Sequence, residues 1–140
     1  MEQRLLVDDD SEVVYIDYRD ESMMKDIQNL VSGDLSEPYS IFTYRYFLHN
    51  YPELCICAYK TRSLVESLDV GIDKVMIATI VCKLERESSG QLQGYMAMLA
   101  VDKSYRNRGN VFLRHMNMMM LMMMVIEECY AVKALFMKYV

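Results

Sequence analysis

The stretch Asp102-Lys103-Ser104-Tyr105-Arg106-Asn107-Arg108-Gly109 has the clearest potential for chemistry. It follows the apolar run Tyr95–Val101 and precedes a second apolar run that starts at Val111. A glycine-containing loop at a helix N-terminus presents backbone N–H groups that lack intrahelical partners. The helix dipole adds partial positive charge there, and Lys103, Arg106 and Arg108 add full charges. That combination favours a bound phosphate. The competing reading of the same residues is a basic, solvated turn.

The flanking elements must hold that loop in place. Val13–Tyr18 alternates as a strand does, with Val13, Tyr15 and Asp17 on one side and Val14, Ile16 and Tyr18 on the other. Asp20, Glu21 or Ser22 can cap a helix with apolar positions Met23, Met24, Ile27, Leu30 and Val31, ended by Gly33. Pro38 or Ser40 opens a second helix, with Ile41, Tyr44, Phe47 and Leu48 on one face, and Asn50-Tyr51-Pro52 stops it. Strands are expected at Leu54–Tyr59, Val75–Leu84 and Gly94–Val101. The last two are joined by a hairpin turn through Ser88-Ser89-Gly90. Val111–Glu128 is expected to be helical, and the tail from Val132 fits a helix or a strand. The order predicts an α+β, or mixed α/β, layered fold.

Composition bounds the possibilities further. At 140 residues and 53% hydrophobic, the chain fits one compact domain and is too apolar for a disordered segment. The charge is uneven: residues 1–37 carry 11 acidic and 3 basic side chains, whereas residues 38–140 carry 9 and 12. The acidic head argues against a general nucleic-acid binder. Residues 1–12 are expected to form a flexible acidic leader ahead of a single domain over 13–140. Nothing at the N-terminus reads as a signal peptide. The four cysteines include no Cys-x-x-Cys pair, and with only His49 and His115 to help them they suggest no metal site. Cys55, Cys57 and Cys82 lie in apolar runs and read as buried free thiols of a reducing, cytoplasmic compartment. Seven of the 14 methionines fall between Met116 and Met124. That apolar run is closed by Glu127 and Glu128, well short of the roughly 20 residues of a membrane span. It reads as core packing or a partner surface; thioether ligation of Cu(I) lacks a supporting His–Cys arrangement.

Arg106-Asn107-Arg108-Gly109, after a Met-Leu-Ala-Val strand, resembles the Arg/Gln-x-x-Gly-x-Gly/Ala motif of the GNAT acetyltransferases. The segments Asp34–Asn50, Ile80–Leu84 and Gly94–Asp102 narrow the resemblance to the catalytic subunits of NatC-type N-terminal protein acetyltransferases. It covers about residues 13–110, interrupted by an apparent insertion near 61–74. The resemblance implies a GNAT fold and transfer of acetyl from acetyl-CoA to proteins beginning with Met followed by an apolar residue. Leu35, Glu37, Pro38 and Tyr39 would form the wall of the peptide slot. The alternative for that corner is that Glu37 caps the following helix and Pro38 starts it. Leu99, Ala100 and Val101 would bind pantetheine through backbone groups of a splayed strand, and Arg106, Asn107, Arg108 and Gly109 would cradle the pyrophosphate. Implied partners are substrate N-termini, a large auxiliary and a small Sm-like subunit, with ribosome association through them; neither direct nucleic-acid nor membrane binding is implied.

Three departures accompany the resemblance. Val111 stands at the motif's last Gly/Ala position, where a branched side chain opposes close backbone approach. Val132–Met137, where the family carries a catalytic glutamate, holds no acid. The family's further helix and two strands, with a tyrosine general acid in an Asn-x-x-Ala-x-x-x-Tyr-like segment, have no counterpart before Val140. The expectation is therefore a C-terminally truncated, divergent copy whose general base is unassigned among Glu37, Tyr95 and His115. The reading from another class is a non-catalytic fragment that acts only as a protein-binding module.

Overall fold

A computed structural model of the chain describes residues 5–8, 13–33, 35–60 and 74–106. The elements are β1 (Leu5–Asp8), β2 (Val13–Asp17), α1 (Glu21–Ser32), α2 (Ile41–Asn50), β3 (Cys55–Lys60), β4 (Val75–Arg86) and β5 (Leu92–Val101). Short 3-10 turns occupy Pro52–Leu54 and Lys103–Tyr105. The five strands form one antiparallel sheet in the order β1-β2-β3-β4-β5. The expected mixed α+β class is what the described residues adopt.

The local chemistry explains the helix ends. Asp20 caps α1 by accepting from the Ser22 N–H, and Ser40 caps α2 by accepting from the Thr43 N–H. Gly33 ends α1 with a right-handed backbone (φ −62°), so its conformation does not demand glycine. Gly90 is different: at φ +88° it occupies the left-handed region that closes the β4–β5 hairpin.

Both sheet faces are apolar. One face packs Val14, Ile16, Tyr18, Cys55, Cys57, Val81, Met98 and Ala100 against Met24, Ile27 and Val31 of α1 and Tyr44 and Leu48 of α2. The other buries Val13, Tyr15, Ala58, Ile77 and Ala78. An ion pair from Glu21 to Arg45 (3.1 Å) and a contact from Glu21 to His49 Nε2 (3.2 Å) tie the two helices at their exposed edge.

The acidic leader expected over residues 1–12 needs correction at Leu5–Asp8. That segment is a strand, registered from Leu5↔Ile16 to Asp8↔Val13. Leu5-Leu6-Val7 supplies an apolar, strand-competent run, and β2 offers its open edge. Strands β4 and β5 also run longer than expected, to Arg86 and from Leu92. Residues 61–73 of the apparent insertion near 61–74, the helix expected at 111–128 and the tail lie outside the described residues.

Two β-bulges interrupt the ladders. One sits at Ile77 of β4, between Ala58↔Ala78 and Tyr59↔Met76. The other sits at Ala97 of β5, between Val81↔Met98 and Cys82↔Met96. A bulge shifts the phase of side-chain alternation. Strict alternation would put Tyr95 on the face opposite Met98. The Ala97 bulge instead sets Tyr95 directly across from Lys83, on the helix-covered face.

Candidate functional site

Three local constellations carry chemistry. The first is the corner between α1 and α2. Leu35, Glu37, Pro38 and Tyr39 are all exposed. Because Ser40 is the cap and Ile41 the first helical residue, Glu37 does not cap α2 and Pro38 does not start it. The four residues are thus spared structural duty at the helix end. Tyr39 meets the buried Tyr44 edge-on, with ring centroids 6.1 Å apart. The Tyr44 hydroxyl is buried with no hydrogen-bond partner among the described residues, and burial raises its pKa. The corner continues into Ile41 and Phe42, the latter 75% exposed. An apolar wall of this kind can receive an apolar side chain.

The second constellation is the end of β5. Among the described residues β5 is the last strand of the sheet, so Leu99, Ala100 and Val101 pair with β4 on one side only. Edge strands offer backbone N–H and C=O groups to a ligand in extended form. The Asp102 N–H donates to the Ile77 carbonyl (2.8 Å), which fixes where the strand ends. Asp102 then caps the following turn by accepting from the Ser104 N–H (2.8 Å). Arg106 Nε donates to the Val101 carbonyl (2.9 Å), which folds the guanidinium back beside the strand end. Lys103 is exposed, and the Lys60 ammonium lies 5.8 Å from the Tyr105 ring centroid. A strand edge thus runs directly into a cluster of cations. Asn107, Arg108 and Gly109, expected to continue this cluster, lie outside the described residues, as do Val111, His115 and the methionine run.

The third constellation was not visible in the residue pattern. Lys83 and Tyr95 face each other across the β4–β5 ladder. The Lys83 ammonium lies 5.6 Å from the Tyr95 ring centroid and 5.8 Å from that of Tyr46. It pairs with Glu85 at 2.7 Å. Glu85 in turn accepts from the Tyr46 hydroxyl at 3.0 Å and the Tyr51 hydroxyl at 3.4 Å. The hydrogen bond with Lys83, then that from Tyr46, holds the Glu85 carboxyl below its ordinary pKa. The same bond to Glu85 raises that of Lys83. Spacing alone could not find this group, because the bulge at Ala97 decides which residue faces Lys83.

Cys55, Cys57 and Cys82 are buried thiols that form no disulfide. Desolvation pushes the Cys55 and Cys57 thiols up to about 12, so neither is a thiolate at neutral pH. Among the described residues no group of three His, Cys, Asp or Glu could hold a metal ion, and no helix is long and apolar enough to cross a membrane.

No family model matches the chain. Curated proteins do. It is 42% identical over 102 residues to N-alpha-acetyltransferase 30 of Xenopus laevis, a match spanning 73% of this chain and 33% of that protein. It is 42% identical over 100 residues to N-alpha-acetyltransferase 30 of Saccharomyces cerevisiae, spanning 70% of this chain and 53% of that protein. The chain thus spans between a third and about half the length of these relatives. Among solved structures, a chain of the NatC complex bound to Gag peptide and CoA superposes with a TM-score of 0.60 at 36% identity. That match covers 76% of this chain and 67% of the other.

Proposed function

The chain belongs to the N-alpha-acetyltransferases of the GNAT fold, and from that premise we propose that it transfers acetyl from acetyl-CoA to the α-amino group of proteins that begin with Met followed by an apolar residue. The observation that carries the proposal is the end of β5: a strand edge without a partner among the described residues, running into a turn lined by Lys103 and Arg106.

These residues fit the two chemically distinct ends of acetyl-CoA. The edge at Leu99–Val101 suits the amide-bearing pantetheine arm, which can pair as an added strand does. Arg106 and Lys103 suit its phosphates. When bound, acetyl-CoA supplies an activated acyl carbon and a thiol leaving group. The new C–N bond forms as the C–S bond breaks. One proton must leave the substrate nitrogen and one must reach the departing sulfur. Leu35, Pro38 and Tyr39 supply apolar surface for the first side chain, and Glu37 places negative charge near the substrate ammonium. Tyr95 stands on the same strand as the proposed pantetheine edge, is half exposed and presents a phenol able to relay a proton. The proposed setting is cytoplasmic. NatC-like auxiliary subunits would serve as partners and connect the chain to the ribosome.

A second reading is favoured by one observation. Ile41, Phe42 and Tyr46 leave α2 with an exposed apolar row suited to protein contact, as a pure binding module would require. Calorimetry with acetyl-CoA separates the two. The enzyme reading expects micromolar binding, weakened about tenfold by Arg106→Ala through loss of one charge-assisted contact. No heat with acetyl-CoA, alongside retained binding to an auxiliary subunit, would leave only the module.

A further inference from the structure

We propose that Lys83 is a positioning residue for Tyr95, held by Glu85 and the Tyr46 and Tyr51 hydroxyls so that its ammonium fixes the orientation of the Tyr95 ring. The positioning stands on geometry alone; its consequence for turnover rests on the acetyltransferase reading above.

A lysine at the end of a buried apolar run would ordinarily extend its ammonium into water. Here the Lys83 side chain is only 21% exposed, and its charge is balanced by Glu85 at 2.7 Å. Glu85 is itself restrained from two further directions, by Tyr46 on α2 and by Tyr51 just beyond it. Those two rings also meet edge-on, with centroids 6.3 Å apart. Strand β4, helix α2 and the residue that ends α2 therefore converge on one ammonium. An ammonium within about 6 Å of a ring centroid attracts the negative face of the ring. The Tyr95 ring centroid lies 5.6 Å away, and its backbone is locked opposite Lys83 by the Ala97 bulge. Tyr95 is 47% exposed, so about half of its surface faces solvent. Ordering a half-exposed aromatic costs rotamer entropy, and the cation offsets that loss before any substrate arrives.

The contacts of Glu85 support this role over ligand capture. Glu85 already accepts from Lys83, Tyr46 and Tyr51. A group so fully engaged positions its neighbours rather than grips a ligand.

Two measurements on the full chain test the proposal. In NMR with 13C-labelled tyrosine, the Tyr95 ring signals are assigned from Tyr95→Phe. Lys83→Met is expected to move those signals, and Lys83→Arg to restore most of the wild-type positions, because a guanidinium also sits over an aromatic face. Tyr95 signals in Lys83→Met that superimpose on the wild type would overturn the positioning. In steady-state acetyl transfer, Lys83→Met is expected to lower kcat about tenfold with KM for acetyl-CoA unchanged, as loss of orientation at the reacting centre does. Unchanged kcat would overturn the catalytic consequence. A wild-type chain that transfers no acetyl would count against the proposed function, while the NMR result would still decide the positioning.

Discussion

Asp20 illustrates how much one side chain contributes at the residue scale. It accepts from the Ser22 N–H and from the Ser22 hydroxyl at the start of α1. Those bonds, the side-chain bond to Ser22 foremost, lower its pKa from the ordinary value of 3.8. A carboxyl lowered on folding stabilises the native state above its unfolded pKa and loses that contribution as pH falls through the folded one. Asp20→Ala is expected to cost about 1 kcal/mol at neutral pH, the usual worth of an N-cap. Urea unfolding at pH 7 and again at the acid limit checks this, since the difference between the two proteins must shrink in acid. The thiols give a second prediction. With Cys55 and Cys57 pushed up to about 12 by burial, Cys55, Cys57 and Cys82 are expected to escape iodoacetamide in the native protein and to react in urea. Mass spectrometry of the alkylated chain reads this directly.

At the scale of elements, the corner between α1 and α2 matters because a serine caps it. Had Glu37 and Pro38 carried the helix start, their exposure would have a structural explanation. Ser40 takes that duty and leaves Leu35–Tyr39 to face solvent. Tyr39→Ala is expected to raise KM for a Met-Leu peptide about tenfold, the worth of one aromatic contact plus its buried area, with kcat changed by no more than about twofold. Both helices could be read from the chain, because apolar residues recur at helical spacing, and Asp20 and Ser40 were each one of the starts that the sequence left open. The β4–β5 hairpin was equally readable through Gly90, which needs the left-handed backbone. The pairing of Lys83 with Tyr95 was not. It depends on one extra residue at Ala97, and alternating apolar residues look the same with or without a bulge. Strand β1 was missed for a related reason: four residues flanked by acids carry too little periodicity to stand out.

Across the whole molecule, the described residues form a two-sided core in which α1 bridges the sheet to the proposed site. Ile27 is fully buried where α1 meets the sheet. Ile27→Ala is expected to destabilise the chain by about 2–5 kcal/mol, measured by urea unfolding, through lost burial and the cavity it leaves. The acidic head and the basic end of β5 also make sense together at this scale. Acids outnumber bases over residues 1–37, while Lys103 and Arg106 concentrate cationic charge at one strand end.

The central claim is that this chain moves an acetyl group onto a protein α-amine. The most direct measurement incubates the full chain with acetyl-CoA and a peptide beginning Met-Leu, then locates any added acetyl group by fragmentation mass spectrometry. The account predicts an acetyl group on the peptide α-amine, formed faster than in the Arg106→Ala variant and faster than with a peptide beginning Met-Lys. An unmodified Met-Leu peptide, with or without an auxiliary subunit present, would contradict it.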